Sequence, residues 1–215
     1  MRILFAIIIF LTTSRAAYAG IEPYVALGAE IGEYETENPS NQYPATLNAA
    51  KYTDVAINGR LGVDIGPYFG AELEGAIHLG GGTQYSAMDE DGLGGFEGEN
   101  DVKSRLLLFL RGGVPVSDQV KIFARAGLGF TSRRDEYRGY GIYQFDGTPY
   151  DDTYVYKDLA PAGALGIGAE YRSKPDSKSA IRADLTYQSS YIGGEDQDID
   201  STSDMVFSLA YVRRF

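Results

Sequence analysis

Cysteine is absent from the 215 residues. That excludes disulfides, thiolate chemistry and a lipid anchor on an exported N-terminal cysteine. Long apolar runs are missing too, since nothing beyond the first twenty residues approaches the roughly 18 uninterrupted apolar residues of a membrane-spanning helix. No glycine-rich loop follows a strand and opens a helix, so the 27 glycines do not point to a nucleotide site. A formal net charge of −11 leaves no basic surface for nucleic acid.

The chain opens with the parts of an export leader. Arg2 supplies the positive end, Ile3 to Leu11 an apolar segment of nine residues, and Ala17-Tyr18-Ala19 a small-residue cleavage motif before Gly20. Arg15 is an unusual residue so close to a cut. Residues 1–19 are expected to be a cleaved signal peptide, leaving 20–215 as one domain.

From there the recurrent signal is period two. Val25, Leu27, Ala29 and Ile31 alternate with Tyr24, Ala26, Gly28, Glu30 and Gly32; Val55, Ile57, Leu61, Val63 and Ile65 oppose Asp54, Ala56, Asn58, Arg60 and Asp64. Phe69, Ala71, Leu73, Ile77 and Leu79 oppose Gly70, Glu72, Glu74 and His78. Segment 102–114 sets Leu106, Leu108, Leu110 and Val114 against Lys103, Arg105 and Arg111, with Leu107 and Phe109 blurring the pattern. The same alternation recurs in 120–130, 159–171, 181–191 and the last residues, where Met205, Phe207, Leu209, Tyr211 and Phe215 oppose Asp204, Ser208, Ala210 and Arg214. Eight strands result, each long enough for a tilted crossing of about 9 to 11 residues.

Short turns at Gly66-Pro67, 115–118 and 174–177 alternate with long loops at 32–53, 80–101, 132–157 and 191–203. All long loops therefore leave one end and both termini the other, as in bacterial barrels. The polar parity decides which face meets lipid. A soluble, lipocalin-like barrel would carry Lys, Glu, Thr and Ser there, whereas this chain runs Ala160, Ala162, Ala164, Gly166, Gly168 in one strand and Gly127, Gly129 in another. Small residues suit a narrow lumen filled by long side chains from other strands. The fold class is thus all-β, an eight-stranded antiparallel up-and-down transmembrane β-barrel.

Charge agrees with that orientation. Without the leader the chain carries 17 bases and 30 acids, and the four long loops hold 5 bases and 18 acids, so the whole surplus sits in the loops. The balanced barrel charges are expected to pair, because an unpaired buried ion costs several kcal/mol. Register places Glu170 opposite Arg182, and Arg60 opposite Glu72 or Glu74; Arg111 and Arg125 lie at similar height, giving one expected lower-lumen cluster of Arg60, Glu72, Glu74, Arg111 and Arg125. Such a cluster is packing, or an ion-pair gate over a narrow water path.

With these segments in view, the chain resembles the eight-stranded OmpA-type and opacity-type outer-membrane barrels. The resemblance rests on Tyr24-Val-Ala-Leu-Gly28, Phe69-Gly-Ala-Glu-Leu-Glu-Gly75, Phe123-Ala-Arg-Ala-Gly-Leu-Gly-Phe130, Gly166-Ile-Gly-Ala-Glu-Tyr-Arg172 and Tyr211-Val-Arg-Arg-Phe215. It implies an outer-membrane location, contact with outer-membrane lipids and lipopolysaccharide, and insertion by the barrel-assembly machinery reading a terminal signal in Phe207, Leu209, Tyr211 and Phe215. Arg213 departs from the pattern on the lipid-facing parity and is expected to snorkel at the periplasmic interface. The peptidoglycan-binding domain that some relatives append is not expected.

Chemistry is sparse. His78 is the sole histidine, and a deacylase-like arrangement would want a serine at position 80, which is Gly. Asp89-Glu-Asp91-Gly92 and Asp196, Asp198, Asp200 lack the twelve-position spacing of a calcium loop and read as solvated acidic loops. No metal or cofactor is expected. The best partner surface is the third long loop, where Tyr137, Tyr140, Tyr143, Phe145, Tyr150, Tyr154 and Tyr156 interleave with Arg133, Arg134 and Arg138, because Tyr and Arg are enriched at binding hot spots. An aromatic girdle, or strands continuing as a hairpin, would give the same composition. The expectation is a monomeric, non-enzymatic barrel with a structural or surface-interaction role toward an extracellular ligand. A narrow channel for small solutes or apolar substrates is the first rival and a lipid-modifying enzyme the second.

Overall fold

The computed structural model describes residues 20–36, 50–80, 82–88, 94–142, 148–192 and 200–215. The expected leader, Tyr143, Phe145 and the acidic runs at 89–91 and 196–198 lie outside them. Among the described residues nine strands form, β1 Ile21–Thr36, β2 Ala50–Ile65, β3 Phe69–His78, β4 Thr83–Met88, β5 Gly94–Pro115, β6 Val120–Ile142, β7 Pro149–Tyr171, β8 Ser179–Ile192 and β9 Asp200–Arg214. Eight of them close a barrel in the order β3-β2-β1-β9-β8-β7-β6-β5, with β5 returning to β3 through Phe69↔Gly112 to Ile77↔Ser104. All pairings are antiparallel.

The wall is inside out. Leu110 and Leu128 are 71% and 74% exposed, and their parity is the apolar one throughout. The opposite parity is buried and carries the charges, which fixes the lipid-facing side. Phe69, Tyr171, Tyr211 and Phe215 lie exposed on the outer wall toward the turn end, where a girdle of aromatic rings belongs.

Three expectations about loops are corrected. Within 80–101, β4 pairs with the outer part of β5 from Thr83↔Asn100 to Met88↔Gly95, a ninth strand outside the barrel. Within 132–157, β6 and β7 continue as a ladder to Ile142↔Pro149, and within 32–53 β1 and β2 stay paired as far as Thr36↔Ala50. Above the apolar band the outer part of β7 meets water on both faces, with 151–155 exposed on either parity. Alternation has nothing to record there, although the backbone ladder continues. A register shift between Val102 and Ser104 marks where β5 leaves β3 and takes up β4, a place where a bulge bends one strand between two partners.

Leu107 and Phe109, which blur the pattern of β5, point inward and are fully buried. They pack with Ala162 and Ala164 across the bare backbone of Gly127 and Gly129. A Cβ on Gly129 would run into the Leu106 carbonyl, whereas one on Gly59, on the lipid side, would meet nothing within 4 Å. Gly129→Ala should therefore cost about 1 to 3 kcal/mol by overpacking, and Gly59→Ala nothing measurable. Leu128→Arg should cost about 2 to 4 kcal/mol for a different reason, a cation among lipid tails. Urea unfolding in lipid vesicles measures all three; equal tolerance at Gly129 and Gly59 would contradict the inward assignment.

Candidate functional site

Inward-facing charges from all eight barrel strands meet in the lumen. At the turn end, Arg214 donates to Glu170 at 2.6 Å and to Asp64 at 3.1 Å, and Arg111 also pairs with Asp64. Glu170 accepts from Arg182 at 3.0 Å, and Arg182 reaches on to Glu72. Arg125 then bridges Glu72 at 3.2 Å, Glu74 at 2.6 Å and Asp184 at 2.6 Å. Arg60 lies 2.9 Å from Glu74 and 2.7 Å from Asp184, and donates to Ser208 at 2.7 Å. Above them Arg105 joins Glu74 at 2.8 Å to Glu30 at 2.6 Å, and Asn58 donates to Glu30 at 2.8 Å.

The result is one connected network of six arginines (60, 105, 111, 125, 182, 214) and six carboxylates (30, 64, 72, 74, 170, 184), each no more than 4% exposed. Its net charge is zero. Arginine suits the place because the guanidinium is always charged, weakly hydrated and able to serve several carboxylates with fixed donors. Aromatic faces cover what the carboxylates leave open: Arg125 lies 4.2 Å from the Phe109 ring centroid, and Arg182 5.0 Å and 5.4 Å from those of Tyr24 and Phe123. Tyr24 also donates its hydroxyl to Glu72 at 2.6 Å. An open cavity of about 380 Å³ at the turn end has Asp64, Lys121 and Glu170 among its lining, so the network forms its floor.

Sequence reasoning had brought together Arg60, Glu72, Glu74, Arg111, Arg125, Glu170 and Arg182. The structure puts Arg60 opposite Glu74 and Glu170 opposite Arg182 in register. Arg111 is a correction: it pairs with Asp64 rather than Glu72 or Glu74. Arg111 lies next to Gly70 in register, nearer the turn than Glu72. Asp64, Asp184, Arg105, Arg214 and Glu30 complete the network and were missed as partners. Their signal was present, since all lie on the inward parity, but Arg60 and Asp184 stand 124 residues apart on strands that do not pair.

His78 sits above the network. Its Nδ1 is 2.7 Å from Asp54 Oδ2 and 3.4 Å from the Tyr34 hydroxyl. Asp54 is itself held by the Gly80 amide at 2.9 Å, so His78 has a carboxylate and a phenol as neighbours. Among the described residues no group of three or more His, Asp or Glu side chains is arranged to hold a metal ion.

The described part of the tyrosine-rich segment is the antiparallel ladder between the outer parts of β6 and β7. Arg138 grips Asp151 through two hydrogen bonds of 2.8 Å and lies 5.8 Å from the Tyr140 ring. Those bonds hold the Asp151 carboxyl below its usual range. Tyr137 lies opposite Tyr154 and Tyr156 opposite Asp135 in register, and the Tyr154 side chain is exposed. Tyr150 stands opposite Gly141, its ring within contact of where a Cβ there would be. At the other end, Phe207, Leu209 and Tyr211 face outward, and the Phe215 amide donates to the Pro23 carbonyl at 3.1 Å. Arg213, also outward, donates to Ser179 at 2.9 Å.

The sequence model of the family described as "Outer membrane protein beta-barrel domain" matches residues 3–215. Among curated proteins, none matches the chain. Among solved structures, Neisserial surface protein A is similar at 13% identity, over 91% of this chain and 99% of its own, with a TM-score of 0.48. OprG from Pseudomonas aeruginosa is similar at 14% identity, over 92% and 96%, with a TM-score of 0.45. Ail, the attachment invasion locus protein of Yersinia pestis, is similar at 12% identity, over 91% and 99%, with a TM-score of 0.44.

Glu74 touches Arg60, Arg105 and Arg125. Its removal leaves three guanidinium groups facing one another. Breaking a buried ion pair from one side typically costs about 3 to 5 kcal/mol, so Glu74→Ala should lower unfolding free energy by about that much, whereas Arg213→Ala should stay within about 0.5 kcal/mol. Urea titration of the two variants in the same vesicles is the check; equal losses would make the network irrelevant to stability.

Proposed function

Because the chain belongs to the outer-membrane β-barrel family, and so resides in the outer membrane, we propose that it is a closed, monomeric barrel whose work is structural or surface-interactive. The observation that carries this reading is the neutral network of arginines and carboxylates running from Asp64 to Glu30 through the lumen. Twelve charged groups held by one another and by aromatic rings leave their positions only at the cost of separating buried pairs. A permanent solute path through them is therefore disfavoured, and the alternative of a narrow channel would require the pairs to part.

In this reading the outward faces meet lipid and lipopolysaccharide, and Phe207, Leu209, Tyr211 and Phe215 serve as the assembly signal. The extended strands supply the surface for an extracellular ligand. β5, β6 and β7 have 22, 23 and 23 residues, about twice what a tilted crossing needs. They carry Arg138, Tyr140 and Tyr154 into water, residue types that anchor protein contacts. From Asp151 to Pro161, β7 pairs with β6, and among the described residues its pairing with β8 begins at Ala162. That leaves a strand edge of the kind to which a partner's extended segment adds. His78, flanked by Asp54 and Tyr34, is in this reading a structural group of the outer lumen rather than a catalytic base.

Planar-bilayer recording of the refolded protein tests the closed lumen. Wild type should show no resolved conductance steps, and the Glu72→Ala, Glu74→Ala double variant should show them, since the freed guanidinium groups repel one another or draw in anions. Steady single-channel steps in wild type would overturn the reading in favour of transport.

A further inference from the structure

The ion pairs stop short of the outer rim, and the groups above them are left with unmatched oxygens. Register sets four inward residues in one row across four adjacent strands: Gln188 opposite Asp204, Asp204 opposite Tyr34, and Tyr34 opposite Tyr52. Asp204 is 2% exposed and Gln188 1%. Gln188 spends its amide donor on Thr131 at 3.2 Å. Among the described residues, its Oε1, the Asp204 Oδ1 and the Tyr52 hydroxyl have no hydrogen-bond partner. Tyr34 and Tyr52 stack with ring centroids 5.1 Å apart, and His78 stands edge-on to Tyr34 at 5.5 Å.

Among the described residues the charges around the row are committed elsewhere, except Arg133, whose Nε has no hydrogen-bond partner. Asp54 holds His78, Asp101 holds Lys103, and Arg105 is taken up by Glu30 and Glu74. The fields of Arg133 and Arg105 reach Asp204, yet neither donates to its Oδ1. A buried carboxylate oxygen and a buried amide oxygen on residues opposite each other in register, both without a donor among the described residues, are costly as they stand. What they lack is N–H, and the stacked phenols beside them offer the ring faces that attract a cation.

We propose that this row is a binding site for a small primary ammonium ion that enters from the cell exterior. Its N–H groups donate to Asp204 Oδ1 and Gln188 Oε1, and its short alkyl part lies along Tyr34 and Tyr52. Arg133 and Arg105 act on Asp204 only through their fields and leave its Oδ1 without a donor. Two acceptors call for N–H donors, which a quaternary ammonium lacks. Divalent metal is disfavoured because the described residues hold no cluster of three or more His, Asp or Glu ligands. The site rests on the closed-lumen reading only for the side of entry, since the network below bars passage to the periplasm.

Isothermal titration of the refolded protein in detergent micelles tests it, with n-propylammonium, choline and magnesium chlorides compared at constant ionic strength. Saturable one-site binding is expected for n-propylammonium alone. Asp204→Asn should weaken it by roughly tenfold or more, the scale of a lost charge-assisted hydrogen bond, and Gln188→Leu by less. Asp118→Asn, in a turn at the opposite end, should bind as wild type does. Heat-modifiable migration verifies that each variant is folded, and Gln188→Leu supplies an independent arm if Asp204→Asn fails to fold. No saturable binding by wild type, undiminished binding by a folded Asp204→Asn or Gln188→Leu variant, or equally tight binding of choline or magnesium would overturn the site. These outcomes are separate from conductance: a non-conducting barrel that binds no n-propylammonium refutes the site and leaves the closed lumen standing.

Discussion

A barrel that turns its apolar side chains to lipid must fill its interior with everything else, and in this chain that means ions. Moving a carboxylate or guanidinium out of water costs several kcal/mol per ion even after relaxation. The structure meets that cost by equal numbers: six arginines against six carboxylates, cross-linked so that Glu72, Glu74, Glu170 and Asp184 each serve two or more arginines. The acidic surplus of the sequence is kept out of this zone. By sequence it falls in the segments between the apolar strands.

Filling the lumen with arginine has a steric consequence that reaches into the wall. Long side chains from β2, β5, β6, β8 and β9 need room, and the strands opposite make it by carrying Gly or Ala on the inward parity. Gly127, Gly129, Ala162 and Ala164 surround Phe109 and Leu107, and Phe109 in turn supports Arg125. Gly62 yields its space to Tyr24, whose hydroxyl caps Glu72. The small residues and the buried charges are two halves of one packing solution.

This is why so much of the fold was legible in the sequence. Where one face meets lipid and the other the lumen, every residue declares its side, and the barrel portions of all eight strands could be read from alternation. Pairs on adjacent strands, such as Glu170 with Arg182, followed from register across short turns. Arg60 with Asp184 did not, because side chains that cross a lumen obey its diameter rather than the strand order. Above the membrane the outer part of β7 is wet on both faces, so the ladder it forms with β6 left no periodic trace. The row from Gln188 to Tyr52 escaped for a further reason: a missing partner is visible only once all partners are placed.

The pair that crosses the lumen, Arg60 with Asp184 at 2.7 Å, is where the claim of a buried, mutually dependent network is most exposed. A double-mutant cycle with Arg60→Gln and Asp184→Asn, read by urea unfolding in lipid vesicles, measures it directly. The account predicts that the two losses fail to add, with a coupling of about 0.5 to 3 kcal/mol as for groups in one network. Losses that add to within about 0.3 to 0.5 kcal/mol, the behaviour of independent sites, would contradict it.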